Sequence, residues 1–300
     1  MMETRLESVP TLSALYGKAL THAIGARMPG GKRQQTLPAA RHRVEPVSAR
    51  PEHVRAFQAL MGQPAGEFMP SGYQHVLAFP VAMSVLARDD FPLPLLGMIH
   101  LRNDVEDFSP VKVSEELSVT AWVENLKRHR SGTTVDAVVE LENSTGLAWR
   151  GRSTYLAKGT YLPDSTEQAP ASDAASDGVL PDYPTTVWTL GPDAGRRYAA
   201  ISGDYNPIHL SGPSARLLGM RKPIAHGMYL ASRMVAEAGP REWTPMRWTV
   251  DFHSPVPLPS KVFLALDVDR PGSEWEGANV TAWDPRRRRT HFTGRMESLG

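Results

Sequence analysis

The spacing of apolar residues changes several times along this chain, and each change marks an element. Leu12, Leu15, Tyr16, Ala19, Leu20 and Ile24 recur at helical spacing, which predicts an amphipathic helix near the N-terminus. Glu3 and Glu7 disfavour a targeting helix, so packing onto the body of the protein is the expectation. Pro51–Gly62 (PEHVRAFQALMG) and Pro192–Gly203 (PDAGRRYAAISG) predict two further helices, each closed by glycine. His75–Ala87 and His226–Ala238 follow them and are apolar almost all round, as helices buried on every side must be. Alternating runs come next in each half. They are Met98–Val105, Glu116–Leu126, Thr133–Leu141 and Leu147–Ala157, then Met246–Phe252, Val262–Val268, Gly277–Trp283 and Thr290–Met296. Turn signals at Asn143–Gly146, Arg270–Gly272 and Asp284–Pro285 separate strands.

The order helix, buried helix, strands is therefore written twice. Set at an offset of 141, the two glycine-closed helices share Pro, Arg, Ala and Gly, with Glu/Asp, Phe/Tyr and Leu/Ile exchanges. The entry to the second strand also recurs, as Phe108-Ser-Pro-Val111 and His253-Ser-Pro-Val256. Thr160–Pro184 is rich in Pro, Ala, Ser and Asp without periodicity and reads as a linker. The expected domains are a first repeat with its N-terminal helix over 1–159, the linker over 160–184 and a second repeat over 185–300. An apolar helix followed by a meander predicts an α+β fold, with an antiparallel sheet wrapped around the helix in each repeat. Two copies make a covalent counterpart of a homodimer.

Composition narrows the function. Three hundred residues suit two cores, and 41% apolar with 22% charged residues is an ordinary globular balance. A net charge of +1 argues against general affinity for nucleic acid or acidic membranes. The absence of cysteine removes disulfides, thiolate metal sites and a cysteine nucleophile. No apolar run is long enough for a signal peptide or a span, so a cytoplasmic location is expected.

The chemistry concentrates in Tyr198-Ala-Ala-Ile-Ser-Gly-Asp204-Tyr-Asn206-Pro-Ile-His209. Gly203 and Pro207 force a turn, placing the acid and the imidazole on a loop. A carboxylate and an imidazole converging on one water can share the proton transfers of hydration. Asn206 can brace the loop or orient His209. Pro223-Ile-Ala-His226-Gly-Met228 then opens the buried helix, whose first N–H groups lack internal partners and carry partial positive charge. Gly227 has no side chain to keep a carbonyl oxygen from its N–H, the arrangement a thioester enolate needs. His226 is either a helix-capping residue or a direct participant. An isolated Asp204/His209 pair more often caps a turn; the helix before it and the His-Gly-Met after it favour chemistry.

YAAISGDYNPIH followed by KPIAHGM resembles the signature of the MaoC-like (R)-specific enoyl-CoA hydratases and 3-hydroxyacyl-thioester dehydratases. The doubled layout is similar to the two-domain, double-hotdog members. The resemblance implies that Asp204 and His209 activate water and that the Gly227 N–H polarises the thioester carbonyl. It implies no metal or redox cofactor, with CoA or acyl carrier protein bearing the substrate.

The first repeat departs from this signature. Gln63 stands where Asp204 is, Ala65 where Asn206 is and Phe68 where His209 is; Phe79-Pro80 faces His226-Gly227. Proline offers no N–H to an oxyanion. One active site per chain is expected, with Phe68, Phe79, Val81 and Met83 lining an acyl tunnel opposite. Met228, Arg221 and Lys222 join the expected substrate contacts, the cations with Arg216 being better placed for carrier phosphates than the Arg286–Arg289 turn. Structural roles are expected for His75, His100 and His253, and packing for Ser232. A homodimer of the doubled chain is optional for such a site. A non-catalytic acyl-binding scaffold subunit is the alternative, and intact Asp204, His209 and Gly227 argue against it. A thioesterase would need a carboxylate facing the thioester, and Glu237 lies too far along its helix.

Overall fold

The computed structural model describes residues 2–25, 34–163, 165–167, 180–217, 219–270 and 274–300. Most of the expected linker and the expected turn at 271–272 lie outside these residues, as do the side chains of Leu20 and Ile24. The chain begins with β1 (Met2–Arg5), α1 (Leu12–Gly25), β2 (Ala40–Ser48), α2 (Pro51–Met61), α3 (Ser71–Leu86) and β3 (Ile99–Asp107). Next come β4 (Glu116–His129), β5 (Gly132–Asn143), β6 (Gly146–Lys158) and a two-residue β7 (Thr166–Glu167). The second half opens with β8 (Thr186–Leu190), α4 (Ala194–Ser202), α5 (Gly212–Leu217) and α6 (Gly227–Ala238). It closes with β9 (Met246–Phe252), β10 (Ser260–Asp269), β11 (Gly277–Asp284) and β12 (Arg289–Ser298).

Strand order carries the repeat. The first half runs β2-β4-β5-β6-β3, with β1 added parallel to β2, and the second runs β8-β10-β11-β12-β9. The second order is the first with six added to every label. In each half a helix packs on the sheet: α6 lies against β9, β11 and β12. α3 meets β2 through a His42–Ser84 hydrogen bond of 2.7 Å and β6 through the His75 and Trp149 rings. Both halves thus take the hotdog architecture. Val76, Val81, Met83, Val85 and Leu86 of α3 are buried, each such side chain stabilising the fold by roughly 1.5–3 kcal/mol. Leu12 and Ala19 bury the expected face of α1.

Two compact units emerge, and they interleave in sequence. One comprises Met1–Ala49, Gln74–Asn103 and Ser114–Ala171; the other comprises Arg50–Tyr73, Asp104–Val113 and Ser172–Gly300. The unit bearing α6 therefore recruits α2 and the first turn of α3.

α2 and α4 end alike, on Gly62 and Gly203 at φ 79° and 72°, a left-handed conformation that glycine adopts without steric cost. The matching of Phe79-Pro80 to His226-Gly227 needs correction. α3 begins at Ser71, so Phe79 and Pro80 lie well inside it, and Ser71-Gly72 is the pair that opens it. The cause is length: eight residues separate Gly62 from Ser71, whereas α5 and its flanking loops lie between Gly203 and Gly227. A Cβ on Gly72 would lie 2.3 Å from the Ser232 hydroxyl, and the Trp248 indole donates to the Ser71 hydroxyl at 2.9 Å. The start of α3 is packed shut.

Candidate active site

A short loop after α4 carries the acid. The Asp204 carboxylate accepts from the Asn206 N–H at 3.2 Å, and the Asn206 side chain accepts from the Ile208 N–H at 3.3 Å. Two successive side-chain turns thus fold the segment into a single 3-10 turn, Pro207–His209. Asn206 braces the loop rather than touching the imidazole. Gly195 lets this turn sit against α4, since a Cβ there would lie 2.1 Å from the His209 carbonyl oxygen.

The His209 Nδ1–H donates to the Ile224 carbonyl at 2.8 Å, which leaves Nε2 as the lone-pair nitrogen. Burial lowers the pKa of His209, and the nearby Asp204 carboxylate opposes that shift. His226 stacks on it, with ring centroids 3.7 Å apart and planes 28° apart. The His226 Nε2–H donates to the Asp204 main-chain carbonyl at 2.9 Å. Burial, and then the adjacent His209, hold His226 well below the ordinary histidine range. Both rings are therefore neutral at neutral pH.

Asp204, His209 and His226 offer ligand atoms within 4.8 Å of one another. The nearly parallel rings send their in-plane lone pairs along separate lines. A tetrahedral metal needs them to converge, so the set suits proton transfer better than ligation.

Immediately after His226, Gly227 is the first residue of α6, where a backbone N–H has no intrahelical acceptor. The Phe252 ring closes over its α-carbon, 3.0–3.3 Å from where a Cβ would stand. Met228 is buried one position on, while Arg221 and Lys222 are exposed in the segment leading into α6. Phe68 is half-buried and bridges Lys112. Phe79 stacks on His75 at 5.5 Å, and Met83 is buried; both belong to the other compact unit. His75, His100 and His253 pack against aromatic rings or a hydroxyl: Phe79 and Trp149, Tyr155, and Thr293.

Tyr198 went without a role in the sequence. It is buried and packs on the His226 ring at 5.0 Å and on Tyr229 at 5.7 Å. The signal was its position, one helical turn and a loop ahead of Asp204 at the head of the motif. Nothing in the sequence pointed to the Ile224 carbonyl as the acceptor that orients His209.

Residues 175–282 match the family described as MaoC like domain. The 3-hydroxyacyl-thioester dehydratase X of Mycobacterium tuberculosis is 33% identical over 247 residues, covering 82% of this chain and 87% of that protein. The crystal structure of HtdX from that organism superposes with a TM-score of 0.73 at 30% identity, spanning 86% of this chain and all of that one (100%). A MaoC-like dehydratase from Phytophthora capsici shares the fold, with a TM-score of 0.69 at 17% identity over 89% of this chain and 97% of its own.

Proposed function

This chain belongs to the MaoC-like dehydratase family, and from that premise we propose how its own residues carry out the reaction. The enzyme reversibly hydrates an enoyl thioester to the 3-hydroxyacyl thioester. The hydroxyl is placed in the (R) configuration, from a trans-2-enoyl group. The observation that carries the assignment is the free Nε2 of His209, fixed by the Ile224 carbonyl beside the Asp204 carboxylate.

In the hydration direction His209 Nε2 takes a proton from water while Asp204 holds the other hydrogen, and the oxygen attacks C3. Electron density moves through C2 to the thioester oxygen, which the Gly227 N–H at the positive end of α6 stabilises. The proton returns to C2 on the face from which water added, and His209 is again neutral. Dehydration is the same sequence reversed. Asn206 keeps the loop folded, and Met228 follows the oxyanion donor along α6. Arg221 and Lys222 supply exposed cations for the phosphates of CoA or of an acyl carrier protein.

A thioesterase would need a carboxylate facing the thioester, and Glu237 of α6 accepts from the Trp188 indole instead. Asp204→Asn and His209→Ala are each expected to abolish hydration of crotonyl-CoA, followed as loss of enoyl-thioester absorbance, while leaving the melting temperature near wild type. Normal turnover in both variants would end the assignment.

A further inference from the structure

We propose that His226 is a positioning residue for this reaction, tying the acid's loop to the base's ring through one hydrogen bond and one stacked face. The proposal rests on Asp204 and His209 being the acid and base. His226 occupies the capping position of α6, yet its side chain makes no cap hydrogen bond. A residue serving only to cap would be Ser, Thr, Asp or Asn, with an oxygen turned to the helix N–H groups. This imidazole instead reaches back along the sequence to the Asp204 carbonyl at 2.9 Å, with Asp204 Oδ2 at 3.9 Å. One face covers His209 at 3.7 Å, and Tyr198 of α4 packs against the same ring at 5.0 Å.

His226 Nδ1 is buried without a hydrogen-bond partner. The Asp204 carbonyl can only accept, so Nε2 carries the hydrogen, and a second N–H at Nδ1 would be a buried donor left unmade. The ring is thereby locked as the neutral Nε2–H form. That matters because His209 must accept a proton during turnover. A charged ring 3.7 Å away would oppose it, and a neutral one does not. The titratable groups packed around His226 are Asp204 on the loop, His209 on the 3-10 turn and Tyr198 on α4. Burial pushes the Tyr198 hydroxyl far up, so it brings no charge to His226 in the working range.

His226→Gln and His226→Phe separate the two contacts. Glutamine places an amide N–H at the reach of the histidine Nε2, so it can still donate to the Asp204 carbonyl but leaves the face of His209 uncovered. Phenylalanine keeps a stacked ring and loses the donor. We expect the acidic limb of kcat/KM to move up toward pH 6.5 in the Gln variant, as water reaches His209. In the Phe variant the limb is expected to stay in place while kcat falls about tenfold or more, the scale typical of groups that orient a functional imidazole. Crotonyl-CoA hydration from pH 5 to 9, with thermal melts of each protein, reads both. Wild-type kcat and an unmoved limb in both variants would overturn the proposal. So would equal losses that merely track a lowered melting temperature. His209→Ala is assayed alongside. An active His209→Ala enzyme ends the acid/base assignment itself, whereas an inactive one beside unaffected His226 variants ends only the positioning role.

Discussion

A single backbone N–H is the oxyanion donor in this scheme, and its environment allows it to be removed without dismantling the helix. Gly227 occupies the first position of α6, where proline is favoured because its missing N–H has no intrahelical partner anyway. His226 before it is extended at φ −64° and ψ 136°, the conformation that a residue preceding proline prefers. The remaining obstacle is the Phe252 ring, which must yield a few tenths of an ångström. Gly227→Pro should therefore fold with a modest loss of melting temperature yet lose roughly 10²–10³ in kcat, as removal of an oxyanion donor does. Retained turnover in a folded Gly227→Pro protein would show that the oxyanion is held elsewhere. His209 offers a contrasting lesson. Its place in the motif paired it with Asp204, but which nitrogen carries the lone pair depends on the Ile224 carbonyl, fifteen residues away, and no local spacing encodes that partner.

At the scale of elements, the glycines ending α2 and α4 separate stability from chemistry. Both are left-handed with nothing within 4 Å of a built Cβ, so alanine costs each only backbone strain, about 1–2 kcal/mol. Gly203→Ala also disturbs the residue that leads into Asp204, whereas Gly62→Ala disturbs the residue that leads into Gln63. We expect matched losses in urea midpoint from the two variants and a fall in kcat from Gly203→Ala alone; equal kinetic effects would contradict the single-site layout. The elements best foretold were those whose period is apolar throughout: β9 begins and ends where its alternation does, and α6 begins at the glycine that opens its apolar run. β2 escaped notice because His42 occupies an inward position between Ala40 and Val44, so a polar residue breaks the pattern. That histidine is accommodated by Ser84 on one nitrogen and Arg88 on the other, partners supplied by α3 and the turn after it. The start of α3 was misplaced for a related reason: Ser71 and Gln74 are polar yet buried, so the apolar run begins about a turn after the helix does.

Across the whole molecule, buried histidines make stability depend on pH. Burial lowers His75 to about 3 and His100 to about 4. The unfolded chain, with histidines near 6.5, binds more protons than the folded one between those values and 6.5, so stability rises with pH across that window. Their contribution is complete above about pH 6.5 and declines on acidification by about 1.4 kcal/mol per pH unit for each residue. Urea unfolding between pH 7.5 and 5 should show this slope, and His75→Phe, which keeps a ring against Phe79 and Trp149, should flatten it; an unchanged slope would place the proton uptake elsewhere.

The interleaving of the compact units bears on where such a chain can be cut. The unit that holds Asp204 and His209 includes α2 and Ser71 from the opposite repeat, and Trp248 relies on that serine's oxygen. Expressing 185–300 alone would leave the Trp248 indole N–H without its serine acceptor. What the first repeat lends to that unit is volume and fit, in α2 and one serine oxygen, so the piece of chain that carries the proton-transfer groups is not the piece that packs as a body.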